Sequence, residues 1–94
     1  MAGSGLMSWS IKVSSIAKKY FEKLDKKRRR KIKEKLLALS HQQNPLENLQ
    51  VKALTGELKG FYRLRIGDYR IIFALLEEEK VIAVVNILPR GNAY

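Results

Sequence analysis

The 94 residues are enough for one hydrophobic core and too few for two, which confines the chain to a single small domain. Nineteen Lys and Arg against nine Asp and Glu leave a formal net charge of +10, so the expected partner is a polyanion: nucleic acid first, an acidic protein second, an anionic membrane third. The lack of cysteine excludes a disulfide framework and cysteine-ligated metal; with no apolar run near the roughly 18 residues of a membrane span and no signal-peptide pattern, a soluble cytoplasmic protein is expected.

Residues 1–8 (MAGSGLMS) are small and Gly/Ser-rich, and they are set outside the fold as a flexible extension or a cloning remnant, leaving 9–94 as the folded domain. Trp9 to Val13 alternates large apolar with polar residues and reads as a first strand. Ser14 and Ser15 are N-cap candidates. From Ile16 the period becomes helical, with Ile16 or Ala17, Tyr20 or Phe21, and Leu24 recurring, which predicts a short amphipathic helix from Ser15 to Leu24. Asp25 ends it and caps a second helix over Lys26 to Ser40, where Ile32, Leu36 and Leu39 share a face. Between Ser14 and Lys35 stand eleven basic and three acidic residues, a net of +8, so the rest of the chain carries only +2. Six consecutive cations, Lys26 to Lys31, open the second helix against its own dipole, so they serve something other than helix stability; contact with a nucleic-acid backbone is the favoured use. A merely solvated face is the plain alternative.

His41 to Leu49 is expected to be a loop with a turn at Asn44-Pro45, and His41, the one histidine, has a surface or capping role. Val51 to Leu54 reads as a short extended piece. From Leu58 to Phe73 (LKGFYRLRIGDYRIIF) apolar and charged residues alternate around Gly67-Asp68, which predicts a hairpin closed by a two-residue type II′ turn. Ile66 then faces Tyr69, Arg65 faces Arg70, Leu64 faces Ile71 and Arg63 faces Ile72. Tyr62, Leu64, Ile66, Tyr69, Ile71 and Phe73 form the apolar face. After an acidic turn at Glu77-Glu78-Glu79, Lys80 to Leu88 is apolar on both sides and is placed as a central strand, with Arg70 opposite Ile87. Pro89 ends it, and Arg90 emerges beside the arginine end of the hairpin.

Like charges directly opposite one another weaken a sheet, so Arg65 facing Arg70, with Arg63 on the same side, is costly as mere surface. Guanidinium groups grip phosphate bidentately and stay charged, which makes a phosphate clamp the sharper reading of the three. The chain has no Gly-rich phosphate loop, no metal-ligand spacing and no Ser/His/Asp or Cys/His set, and no cofactor is expected. Arginines with a tyrosine hydroxyl suit RNA cleavage by the ribose 2′-OH, whose attack on the adjacent phosphorus builds charge that guanidinium groups stabilise. The general base is left open.

The run LKGFYRLRIGDYRIIF, the acidic turn after it and the ending VVNILPRGNAY resemble the RelE/ParE superfamily of toxins, most closely RelE. The resemblance implies an α+β fold of order β-α-α-β-β-β, an antiparallel sheet with a two-helix hairpin on one face, and a ribosome-dependent endoribonuclease that cuts mRNA in the A site without metal. It also implies an acidic RelB-like antitoxin that wraps the toxin, with operator DNA engaged only through that antitoxin. Carried over by motif, Arg65, Arg70, Arg90 and Tyr94 are the catalytic candidates. Arg63, with Lys52 and Lys59, is assigned to substrate binding, and Lys26, Lys27, Arg28, Arg29, Arg30, Lys31 and Lys33 to ribosomal RNA. Arginine stands at 63 and 65, where relatives often carry lysine, so no lysine base is available there. Two other functions compete: ParE-like inhibition of DNA gyrase, and a non-catalytic nucleic-acid-binding module.

Overall fold

The computed structural model describes residues 8–89. Of the extension assigned to 1–8 only Ser8 is among them, and the candidates Arg90 and Tyr94 lie outside the described residues. The chain runs β1 (Ser10–Val13), α1 (Ser15–Glu22), α2 (Lys26–Ser40), β2 (Val51–Ala53), β3 (Tyr62–Ile66), β4 (Tyr69–Leu76) and β5 (Val81–Pro89), with single 3-10 turns at Pro45–Glu47 and Gly56–Leu58. The β-α-α-β-β-β order is present. The extended piece at Val51 joins the sheet as a further short strand, so the order across the sheet is β1-β5-β4-β3-β2.

Local chemistry sets the helix limits. Ser14 is extended and its Oγ accepts from the Ala17 N–H at 3.1 Å, which starts α1. The helix stops at Glu22, short of the expected Leu24, because the Lys23 and Leu24 N–H groups turn back to the Tyr20 and Phe21 carbonyls and tighten the last turn. Asp25 then caps α2 through the Arg28 N–H at 2.8 Å. Ala17 of α1 and Ile32, Leu36 and Leu39 of α2 meet Leu64, Ile66, Ile71, Phe73, Ile82, Val84 and Ile87 in one core, with Trp9 at its edge. Both helices therefore cover the face of the sheet that these residues share.

The sheet is mixed where an antiparallel one was expected, because β1 runs parallel to β5 at the outer edge. The Ser10 N–H donates to the Lys80 carbonyl and the Ser14 N–H to the Val84 carbonyl, each at 2.8 Å. A parallel neighbour needs a long crossover, and the chain from α1 to β4 supplies it.

The hairpin register is the one read from the sequence: Ile66 pairs with Tyr69, Arg65 with Arg70, Leu64 with Ile71 and Arg63 with Ile72. Gly67 has φ +54° and Asp68 is not left-handed, as a type II′ turn requires. The β4–β5 register departs from expectation: Arg70 pairs with Leu88 and not with Ile87. A bulge at Val85 causes the shift, since Ile72 pairs with Asn86 while Phe73 pairs with Val84. Without that extra residue in the ladder, simple alternation from Ile82 and Val84 would send Asn86 into the core and Ile87 out of it. With it, Ile87 is buried and Asn86 turns to the other face. Ser14 Oγ donates to the Val85 carbonyl at 2.8 Å, so the residue that caps α1 also satisfies the bulge. The acidic turn takes in Lys80, whose φ of +57° removes it from the strand where the sequence placed it.

Candidate functional site

The face of the sheet opposite the helices carries the basic residues in two rows. Strand pairing puts Lys52, Arg63, Ile72 and Asn86 side by side across β2, β3, β4 and β5. One step towards the hairpin tip, Arg65, Arg70 and Leu88 form the next row. Period-two alternation alone brings Arg63, Arg65 and Arg70 together. Asn86 joins them through the bulge, and only its odd position in the β-branched run VVNIL could have marked it in the sequence.

Arg70 is half-buried and its Nη2 donates to the Pro89 carbonyl at 3.2 Å, which ties the guanidinium to the end of β5. Arg63 is also half-buried, its Nη1 donating to the Gln50 carbonyl at 3.1 Å. Arg65 is exposed. A cavity of about 230 Å³ opens at the tip, lined by Arg65, Gly67, Tyr69 and Arg70. Two guanidinium groups on adjacent strands, one anchored and one free to swing, can grip the non-bridging oxygens of one phosphate.

Tyr69 packs against the core from the apolar face, as expected, and also lines this cavity, which the sequence reading did not foresee. It follows the turn directly, and at a strand end a core-facing side chain still reaches the rim. Its ring meets that of Tyr20 edge-on at 6.3 Å. Burial, and secondarily the neighbouring Tyr69, holds the Tyr20 hydroxyl above the ordinary tyrosine range. Tyr20 therefore keeps its proton at neutral pH and is no base.

The remaining candidates separate. Lys52 stands in register with Arg63. Lys59 follows the second 3-10 turn, exposed and outside the sheet. The seven cations assigned to ribosomal RNA do not act as one patch. Lys27, Arg28 and Lys31 line a second cavity of about 390 Å³ with Ile32, Ile66, Gly67, Asp68 and Tyr69. Lys33 lies by an apolar groove on the other side of α2, and Arg29 is half-buried. Arg28 Nη1 pairs with Asp25 at 2.6 Å. The Arg28 backbone N–H, and then its guanidinium, hold the Asp25 carboxyl below its usual range. Among the described residues no three His, Cys, Asp or Glu side chains converge as a metal site, and no helix is long and apolar enough to cross a membrane.

The apolar groove occupies about 560 Å³ between α1, α2 and the β1 edge, lined by Ile11, Val13, Phe21, Leu36, Leu37 and Ile87 among others. Leu37 and Val13 are exposed there. On the open face of the sheet Ile72 and Val81 are buried, while Leu76 at the end of β4 is exposed.

Residues 11–94 match the family model of the ParE toxin of type II toxin-antitoxin systems, parDE. RelE1 of Methanocaldococcus jannaschii is 27% identical over 88 residues, covering 94% of this chain and 97% of the relative. In the archaeal RelE-RelB complex from Pyrococcus horikoshii OT3, one chain is 32% identical with a TM-score of 0.75, covering 93% of this chain and 100% of that one. The E. coli RelBE complex supplies a chain at 17% identity and TM-score 0.70, covering 92% and 100%, a likeness of fold alone.

Proposed function

Because the chain belongs to the ParE toxin family of type II toxin-antitoxin systems and is RelE-like within that superfamily, we propose that it is an endoribonuclease that cuts mRNA in the ribosomal A site. The observation that carries this reading is Arg65 in register with Arg70 over the cavity at the hairpin tip, in a row next to Lys52 and Arg63. The ribose 2′-oxygen attacks the adjacent phosphorus, the bond to the 5′-oxygen breaks, and a 2′,3′-cyclic phosphate and a 5′-hydroxyl result. One proton leaves the 2′-OH and one reaches the departing oxygen. Charge gathers on the non-bridging oxygens, where Arg65 and Arg70 stabilise it, each such interaction counting for about 2.7–4 kcal/mol at a preorganised site. Arg63 and Lys52 hold the neighbouring backbone, with Arg90 and Tyr94 adding charge and an aromatic face.

Lys26, Arg29, Arg30 and Lys33 of α2 rest on the ribosomal RNA backbone in this reading, a non-specific and salt-sensitive contact. The partner that silences the toxin is an acidic RelB-like antitoxin, and the groove flanked by Lys18 and Lys33 suits the apolar side of an acidic segment. The test is cleavage mapping by primer extension on a translating message with purified ribosomes, wild type against Arg70→Ala. Cuts within A-site codons that vanish in the variant support the nuclease. The match to a ParE toxin family model supports keeping the second reading that the sequence resemblance left open, inhibition of DNA gyrase in the manner of ParE. Toxicity without cuts, accompanied by loss of gyrase supercoiling, would establish that one instead.

A further inference from the structure

The second cavity shares two walls with the first. Gly67 and Tyr69 line both, so the pocket of Arg65 and Arg70 and the pocket of Lys27, Arg28 and Lys31 are separated by one turn of backbone and one ring. Lys31 stands at that partition: a Cβ built on Gly67 would lie 3.1 Å from its Nζ and 3.6 Å from its Cε. The missing side chain at 67 leaves the ammonium group room against the turn. Lys27 and Lys31 are four residues apart on α2 and share a face. Against these cations the cavity has one carboxylate, Asp68, and Arg28 is already paired with Asp25.

We infer that the Lys27–Lys31 cavity is a second phosphate subsite of the substrate strand, so that single-stranded RNA bends over the hairpin tip with successive phosphates on the two sides of Gly67. The inference rests on the nuclease reading above and adds to it the path of the substrate. Two features favour RNA over an acidic peptide. The two cavities adjoin across Gly67 and Tyr69, matching a chain with regularly spaced charges, and Tyr69 stands at the crossing as an aromatic ring for a base to stack on. Lys27 and Lys31 are thereby taken from the ribosomal RNA and given to the substrate.

The test uses the full chain and a short RNA of 2′-O-methyl ribose, which cannot be cut by 2′-oxygen attack. Methylphosphonate, which removes the charge of one phosphate, is placed at each linkage in turn, and affinity is measured at low salt. Wild type is expected to lose roughly tenfold in affinity at each of two adjacent linkages. In Lys31→Met the penalty should disappear at one of them and persist at its neighbour; in Arg65→Met the pattern should reverse. Both replaced residues are exposed, and circular dichroism checks that the variants fold. If Lys31→Met weakens every oligonucleotide equally, Lys31 contributes only a general field and the subsite is overturned. The same holds if a poly-glutamate peptide, but not any single linkage, senses the substitution. If wild type fails to bind the unmodified RNA at all, the subsite is overturned, and the nuclease reading is decided separately by the cleavage mapping on ribosomes.

Discussion

Arg65→Thr should make the protein more stable while removing the proposed A-site cleavage. Arg65 and Arg70 are direct cross-strand partners, Arg65 is exposed, and Arg70 is half-buried and anchored to the Pro89 carbonyl. Replacing the exposed member removes the repulsion and leaves the anchor in place. Cross-strand pairs of this kind count for about 0.2–1 kcal/mol. In a domain of this length that gain corresponds to a rise in Tm on the order of 1–8 °C. Threonine also favours strands, so the charge contribution is isolated by salt. At about 1 M ionic strength the screening length falls to about 3 Å, and the advantage of the variant over wild type should shrink. Thermal unfolding of both proteins at low and high salt reads this directly, and A-site cleavage by the same preparations reads the functional side. A variant that melts lower than wild type at low salt would refute the argument, because the arginine pair would then be a net stabilising feature of the free protein. An equal gain at both salt concentrations would assign the effect to strand propensity alone.

Three further outcomes follow from the packing. Ile87→Ala should cost about 2–5 kcal/mol in urea unfolding, since the bulge delivers Ile87 to the core at 3% exposure; a cost below about 1 kcal/mol would mean that the bulge does not serve burial. Ser14→Ala removes both an N-cap and the donor to the bulge carbonyl, and the summed loss should be about 1.5–3 kcal/mol, more than a cap alone. The stability difference between wild type and Asp25→Asn should depend on acid: the folded-state pKa of Asp25 is lowered by the Arg28 N–H and guanidinium, so its contribution is complete above the unfolded carboxylate value of about 3.9 and fades as pH falls through the lower folded value. A difference unchanged from neutrality down to about pH 2 would show that the hydrogen bond, and not the charge, carries the cap.

The hairpin was legible in the sequence because it is local. Alternation from Tyr62 to Phe73 and a glycine at the one position that needs φ above zero set the register, and with it the meeting of Arg63, Arg65 and Arg70. The caps at Ser14 and Asp25 were legible for the same reason, since each bonds an N–H three residues on. The family likeness rests on that same stretch and on the chain's ending.

Three things depended on contacts between distant parts of the chain. The parallel docking of β1 on β5 joins residues about seventy positions apart. The bulge at Val85 answers a competition between Ile87 and Asn86 for the core, and the Ser14 hydroxyl that completes it comes from the start of α1. The division of the basic run, with Lys27, Arg28 and Lys31 turned to the hairpin tip and Lys33 to the opposite groove, follows from how α2 is rotated on the sheet. A run of six cations looks the same from every direction around its axis. Burial of Ile32, Leu36 and Leu39 sets that rotation, and so determines which cations stand beside the arginines.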